Sequence, residues 1–275
     1  MIRIASKHLL LASIAALAAC APTSNAQTDN ASAEAPAANA AAAADAALPP
    51  AIAKAAADPA RGPDAVTTDE RRKGPQILAF SGVKPGDKVV DLIPGSGYWT
   101  KLFSKIVGPT GHVYGLWPQP YAAEAKTNVE DYQKLAGSAD FANVSMSVEP
   151  ATELKVPEKV DLVFTSQNYH DYPDKFMGSV DPKVLNKAVY DALKPGGTWF
   201  IVDHVAPAGS GMADTDTLHR IDPAIVKQQV TAAGFQFVGS SDLLANPADT
   251  HQLKVFDPSI RGHTDQFIYK FRKPG

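Results

Sequence analysis

The chain has 275 residues, carries 26 Lys and Arg against 29 Asp and Glu for a net charge of −3, is 45% apolar and contains a single cysteine. That length suits one large domain with additions. The nearly balanced charge gives no electrostatic reason to bind nucleic acid. A lone cysteine leaves no internal disulfide, so the core must stabilise the fold unaided.

At the start, Arg3, Lys7 and His8 precede the apolar run LLLASIAALAA at 9–19. This run falls short of the roughly 20 residues that span a bilayer, and its layout is that of a secretory signal peptide. It ends in LAAC (17–20), which resembles the lipobox of bacterial lipoproteins. The resemblance implies that residues 1–19 are removed, that Cys20 is lipidated, and that the membrane is contacted through that anchor. Several acyl chains, at about 0.8 kcal/mol per buried CH₂, would hold it firmly. By the same resemblance to Gram-negative lipoproteins, Ala21 in place of Asp implies an exported, periplasmic, outer-membrane lipoprotein. A plain signal cut after Ser24-Asn25-Ala26 is the alternative.

Residues 20–66 read as a lipidated, Ala/Pro-rich tether. Alanine dominates 31–60, with prolines at 36, 49, 50 and 59. So few large apolar groups do not repay the entropy of ordering. The folded domain is expected over 67–275.

From Thr67 the pattern alternates. A helix is predicted over 67–83, from a capping threonine through acids to an apolar end. Strand KVVDLI (88–93) follows the turn Lys84-Pro85-Gly86-Asp87. A helix through 99–108, strand HVYGLW (112–117), a helix over 121–137 and strand VSMSVE (144–149) come next. Strand VDLVFTS (160–166), a helix over 181–193 and strand TWFIVDHV (198–205) continue the series. Asp222 then caps a helix with Pro223 at its first position, ending at Gly234, and strands at 235–244 and 265–273 close the chain. Near-continuous apolar strands alternating with helices imply a parallel sheet covered on both faces. Ligands of such sheets bind beyond the carboxyl ends of the strands. That edge should carry Asp91, Trp117, Glu149, residues 166–171, Asp203 and His204.

Three stretches, VVDLIPGSGYWT (89–100), VDLVFT (160–165) and ALKPGGTWFIVDH (192–204), stand in the order and at the distances of a class I S-adenosylmethionine (SAM)-dependent methyltransferase, which the chain resembles over 67–273. More narrowly, IPGSGYWT, QNYHDY, VDHVAP, LHRIDPAIV and FDPSIRGHTDQFIYKFRKP resemble an often exported bacterial family known as predicted methyltransferases. The resemblance implies an α/β fold with a seven-stranded, mostly parallel, doubly wound sheet whose last strand is antiparallel. It also implies SAM as cofactor, with Asp91, Gly95, Gly97, Tyr98, Trp117 and Glu149 at cofactor-binding positions.

The glycine loop departs from the pattern of such enzymes. Gly95 and Gly97 allow close backbone approach. Ile93 is β-branched and precedes proline, which opposes a positive φ and favours extended backbone, so the loop is expected to bend at Gly95. Trp117 stands where an acid usually binds the ribose; it either stacks on an adenine or packs the sheet edge. Pro150 stands where an acid or polar residue usually meets the adenine amine, with Glu149 one place early. Loss of two carboxylate contacts implies affinity of roughly tens of micromolar or weaker.

Histidines 170, 204, 219, 251 and 263 fall largely in the loops of the same half. Methyl transfer asks the protein to position two reactants and, for a poor nucleophile, to remove a proton. His170, Asp203 and His204 are the candidate catalytic residues, with loop capping or pairing to Asp as the structural alternative. No tight pair such as HExxH appears, so no metal site is read from spacing. Arg220 and Arg261 either bind an anionic substrate or pair at the surface with Asp222 and Asp257. The leading expectation is a SAM-dependent methyltransferase acting on a small molecule. The alternatives are a non-catalytic envelope protein binding a small ligand, and a histidine- or metal-dependent enzyme of another class.

Overall fold

The computed structural model describes residues 47–275. The expected signal peptide, Cys20 and the first part of the expected tether lie outside the described residues. No helix among those described is long and apolar enough to cross a membrane.

Seven strands form one sheet: β1 (Lys88–Leu92), β2 (His112–Pro118), β3 (Val144–Glu149), β4 (Val160–Ser166), β5 (Leu193–His204), β6 (Gln236–Ser241) and β7 (Gln266–Arg272). Their order is β3-β2-β1-β4-β5-β7-β6. All neighbours are parallel except β7, which runs antiparallel to both β5 and β6. The strand order reverses between β1 and β4, and the crevice at that switch point is where such sheets bind ligands. The central strands are apolar throughout because helices cover both faces: Val89, Val90, Val163, Phe164, Phe200 and Ile201 are fully buried.

The helices follow the sequence with two breaks. The segment expected as one helix over 67–83 is two, α2 (Ala65–Arg72) and α3 (Gly74–Ser81), divided at Lys73, which takes φ 51° ahead of Gly74-Pro75. Likewise 121–137 splits into α5 (Gln119–Glu124) and α6 (Lys126–Ala136) at Ala125, whose backbone leaves helical geometry. Helix α4 (Tyr98–Val107) starts directly from the glycine loop and buries Leu102, Phe103 and Ile106 against the sheet. Asp181 caps α7 (Pro182–Ala192) and Asp222 caps α9 (Pro223–Ala232), each accepting a backbone N–H two residues on.

The tether reading fails over its last residues. Helix α1 (Pro50–Ala56) packs on α4, with Ile52 and Ala55 each 1% exposed. Arg61 is also buried, and its guanidinium grips Asp69 through two bonds of 2.6 and 2.8 Å. Alanine is small enough to fill the close approach of two helices, so a segment poor in large residues still joins the core here. The folded unit therefore begins by residue 50 rather than 67.

Candidate functional site

A cleft of about 580 Å³ opens at the carboxyl ends of β1, β4 and β5, within the size range of small-molecule sites. The glycine loop forms one wall through Ile93, Pro94, Gly95 and Ser96. Tyr98, Trp99 and Tyr121 give aromatic surface, and Glu124 and Asn128 reach in from α5 and α6. The opposite wall comes from 166–171 after β4, together with His204, His219 and Phe256. Beyond Trp99 and Gln167 the cleft continues to Arg71, Arg72 and Arg261.

The loop bends where the sequence opposed it. Ile93 takes φ 59°, followed by Gly95 at 58° and Gly97 at 86°. Its N–H extends the β1 ladder to Leu116 O at 2.9 Å, and its side chain is only 5% exposed. Left-handed geometry costs a non-glycine residue about 1–2 kcal/mol; burying an isoleucine returns roughly 1.5–3 kcal/mol. Tertiary burial thus overrides the local preference. Gln167 at φ 67° and His219 at φ 53° also line the cleft in this conformation, and such strain gathers where a site is shaped for function.

The sequence-predicted cofactor residues divide. Gly95 and Tyr98 line the cleft. At Gly95 a Cβ would meet nothing within 4 Å, so the wall is open there. Gly97 does not line it; a Cβ there would come within 2.7 Å of Leu135, so glycine is required by the packing of α6. Asp91 lies beneath, 1% exposed, accepting a 2.5 Å bond from Thr100, and burial lifts its pKa to about 7. Trp117 is wholly buried among Tyr121 and Tyr132 and does not line the cleft, so it packs the sheet edge and does not offer a face to an adenine. Glu149 ends β3 away from the lining residues. The acid that does line the cleft after β2 is Glu124, seven residues past Trp117 and hidden from motif reading by the intervening turn into α5.

The catalytic candidates do meet. Asp203, fully buried, accepts from His170 Nδ1 at 2.7 Å and from the backbone N–H groups of His170 and His204 at 2.9 and 2.8 Å. Burial alone would push the Asp203 carboxyl up, but His170 and these N–H groups hold it below the ordinary carboxylate range. For His170, burial opposes the charge, yet Asp203 and then Asp171 outweigh it and raise its pKa to about 9. Burial pushes His204 down to about 3, so it stays neutral, with Nδ1 2.8 Å from Thr264 Oγ1. Asp203 therefore lies under the cleft floor, bonded to the His170 ring and to the backbone of both His170 and His204.

His219, beyond α8 (Thr215–Leu218), was not among the catalytic candidates, yet its Nδ1 sits 3.4 Å from His170 Nε2. Asp171 is buried beside both. His251 instead pairs with Asp265 at 2.9 Å outside the cleft. Arg220 is neither a surface group nor a substrate ligand: it is fully buried and bonds Asp249, Leu253 O and Val205 O.

No family model matches the chain. Over 195 residues it is 28% identical to the ubiquinone/menaquinone biosynthesis C-methyltransferase UbiE of Saccharophagus degradans, covering 70% of this chain and 67% of that protein. The corresponding protein of Vibrio vulnificus is 29% identical over 193 residues, covering 69% and 63%. The chain thus spans about two thirds of the length of these curated relatives. A SAM-dependent methyltransferase of known structure from Aquifex aeolicus superposes with a TM-score of 0.53 at 17% identity, covering 78% of this chain and 98% of that one. The fold is that of a class I SAM-dependent methyltransferase. The (4+2)-cyclase SpnF superposes equally well, with a TM-score of 0.56 at 16% identity over 74% of this chain and 80% of its own. The shared fold hosts more than one chemistry.

Proposed function

We propose that the protein is a SAM-dependent methyltransferase acting on a small molecule. The observation that carries this reading is the cleft itself: it sits at the switch point of a methyltransferase-type sheet, and its loop bends through Ile93, Gly95 and Gly97 despite the isoleucine. The residues present suit the cofactor. The backbone at Gly95 and Ser96 admits close approach, and Glu124 offers a carboxylate for ribose hydroxyls. Trp99 lines the cleft with a buried Nε1 that has no partner among the described residues, and a buried donor of that kind calls for one. The rings of Tyr98 and Tyr121 suit a flat purine and a sulfonium cation.

When bound, SAM would supply an electrophilic methyl group. The chain's part is to align the acceptor and keep water away. Asp203 fixes the His170 ring against the floor, while Arg71, Arg72 and Arg261 favour an acceptor that carries negative charge.

Isothermal titration of the full chain with SAM and with S-adenosylhomocysteine tests this reading. Binding at roughly tens of micromolar or weaker is expected, reduced at least about 10-fold further by Glu124→Ala, as for loss of a hydrogen bond to a charged group. No heat at millimolar ligand, with the fold intact by circular dichroism, would remove the assignment and favour a non-catalytic ligand-binding role for the same cleft.

A further inference from the structure

On the cleft floor, three side chains from two loops converge on one point. His170 Nε2 lies 3.3 Å from Asp171 Oδ1 and 3.4 Å from His219 Nδ1, and the last two atoms are 3.8 Å apart. These separations are long for hydrogen bonds between such groups. The first two match the edges of a tetrahedron around an ion whose ligands stand at about 2.0–2.1 Å, roughly 3.3–3.4 Å, and the third is longer by about 0.4 Å. An octahedral face at the same bond lengths would have edges of about 2.9 Å. We propose that the protein binds one divalent metal ion of the zinc class through His170 Nε2, Asp171 Oδ1 and His219 Nδ1, with the fourth position open to the cleft.

Three further observations support it. The ring nitrogen of His170 that does not face the triangle, Nδ1, is held at 2.7 Å by the fully buried Asp203, whose other oxygen is fixed by the His170 N–H. A carboxylate behind a histidine in this way sets its tautomer and basicity for a metal. Acidic groups also crowd the triangle: Asp171, Asp174 and Asp203 are all buried, and among the described residues their only ion-pair partners are His170 and His219 themselves. Asp174 Oδ2 lacks any hydrogen-bond partner. Finally, two imidazoles and one carboxylate select transition ions over magnesium or calcium, which take oxygen ligands. Three protein ligands with one open position is the donor set of a catalytic rather than a structural zinc site. Because all three residues line the cleft, the open position would take an oxygen donor of a bound molecule, a hydroxyl, carboxylate or water, and make its proton more acidic. This inference goes beyond the methyltransferase reading and is tested without SAM.

Titration of the metal-stripped full chain with Co²⁺ alone, followed by visible absorption, reads the site directly. One equivalent should bind with the intense d–d absorption of a tetrahedral ion, and Zn²⁺ should displace it. His219→Ala and Asp171→Asn should abolish the signal, and Asp203→Asn should weaken Co²⁺ binding about 10- to 100-fold. His219→Cys should retain the ion and add a thiolate-to-cobalt charge-transfer band, which keeps the test decisive if the alanine variant does not fold. Absence of tetrahedral absorption in the native chain would overturn the proposal. So would a signal that survives both His219→Ala and Asp171→Asn, since the ion would then sit elsewhere.

Discussion

Replacing Asp91 by Asn probes a charge that the core withholds. Asp91 is 1% exposed at the end of β1, where Thr100 Oγ1 donates to it at 2.5 Å and burial lifts its pKa from 3.8 to about 7. An acid whose folded pKa lies above its unfolded one takes up a proton on folding. Its contribution is therefore most favourable below the unfolded pKa and is lost as pH rises through the window from about 4 to 7. At 1.36 kcal/mol per pKa unit, a shift of roughly 3 units caps the loss at about 4 kcal/mol. Near pH 5 the unfolded carboxyl has already ionised, and about 1.7 kcal/mol of that loss has occurred. Between pH 5 and pH 9 the wild type should thus lose about 2–3 kcal/mol that Asp91→Asn, which has no proton to release, does not. Urea unfolding of both proteins at the two pH values measures the difference. If the gap between wild type and variant is the same at pH 5 and pH 9, Asp91 ionises as an ordinary carboxyl and the argument from burial is wrong.

Ile93→Gly should destabilise the fold by about 1–3 kcal/mol, because the buried side chain outweighs the strain that glycine would relieve; a gain in melting temperature would mean that strain dominates the loop. Ile52→Ala should cost about 2–4 kcal/mol and lower the melting temperature of a domain this size by roughly 4–12 °C. A chain starting at Pro63 should lose at least as much, and an unchanged melting temperature for both would show that α1 does not belong to the domain.

Most of the sheet was legible because a parallel strand buried on both faces reads as an unbroken apolar run. VSMSVE and VDLVFTS begin and end where the sequence put them, as β3 and β4. Helix breaks were less visible: nothing local marks Ala125, which leaves the helix because α5 and α6 must turn over the end of β2. Ile93 was misread for a related reason, since backbone preference is local and the burial that overrides it is not. Ile52 and Ala55 escaped notice because composition averages over the whole of 31–60, whereas one isoleucine and one alanine suffice to seat α1 in the core. At the cleft, the proximity of His170, Asp203 and His204 could be read from their place at strand ends. His219 was not joined to them: it lies 49 residues from His170, and no spacing rule reaches across a strand and a helix to pair two loops.

The division of labour around the cleft has an evolutionary corollary. The glycine loop, Glu124 and Asn128 hang from the β1–β2 half of the sheet, whereas His170, Asp171, His204 and His219 hang from β4 and β5. The two groups face each other across the switch point and share no chain segment. Substitutions or insertions in the stretches 167–180 and 206–222 can therefore alter which molecule is accepted while leaving the opposite wall intact. Lineages descended from one ancestor would then diverge in one wall while keeping the other, and loop exchange between relatives should follow that same seam.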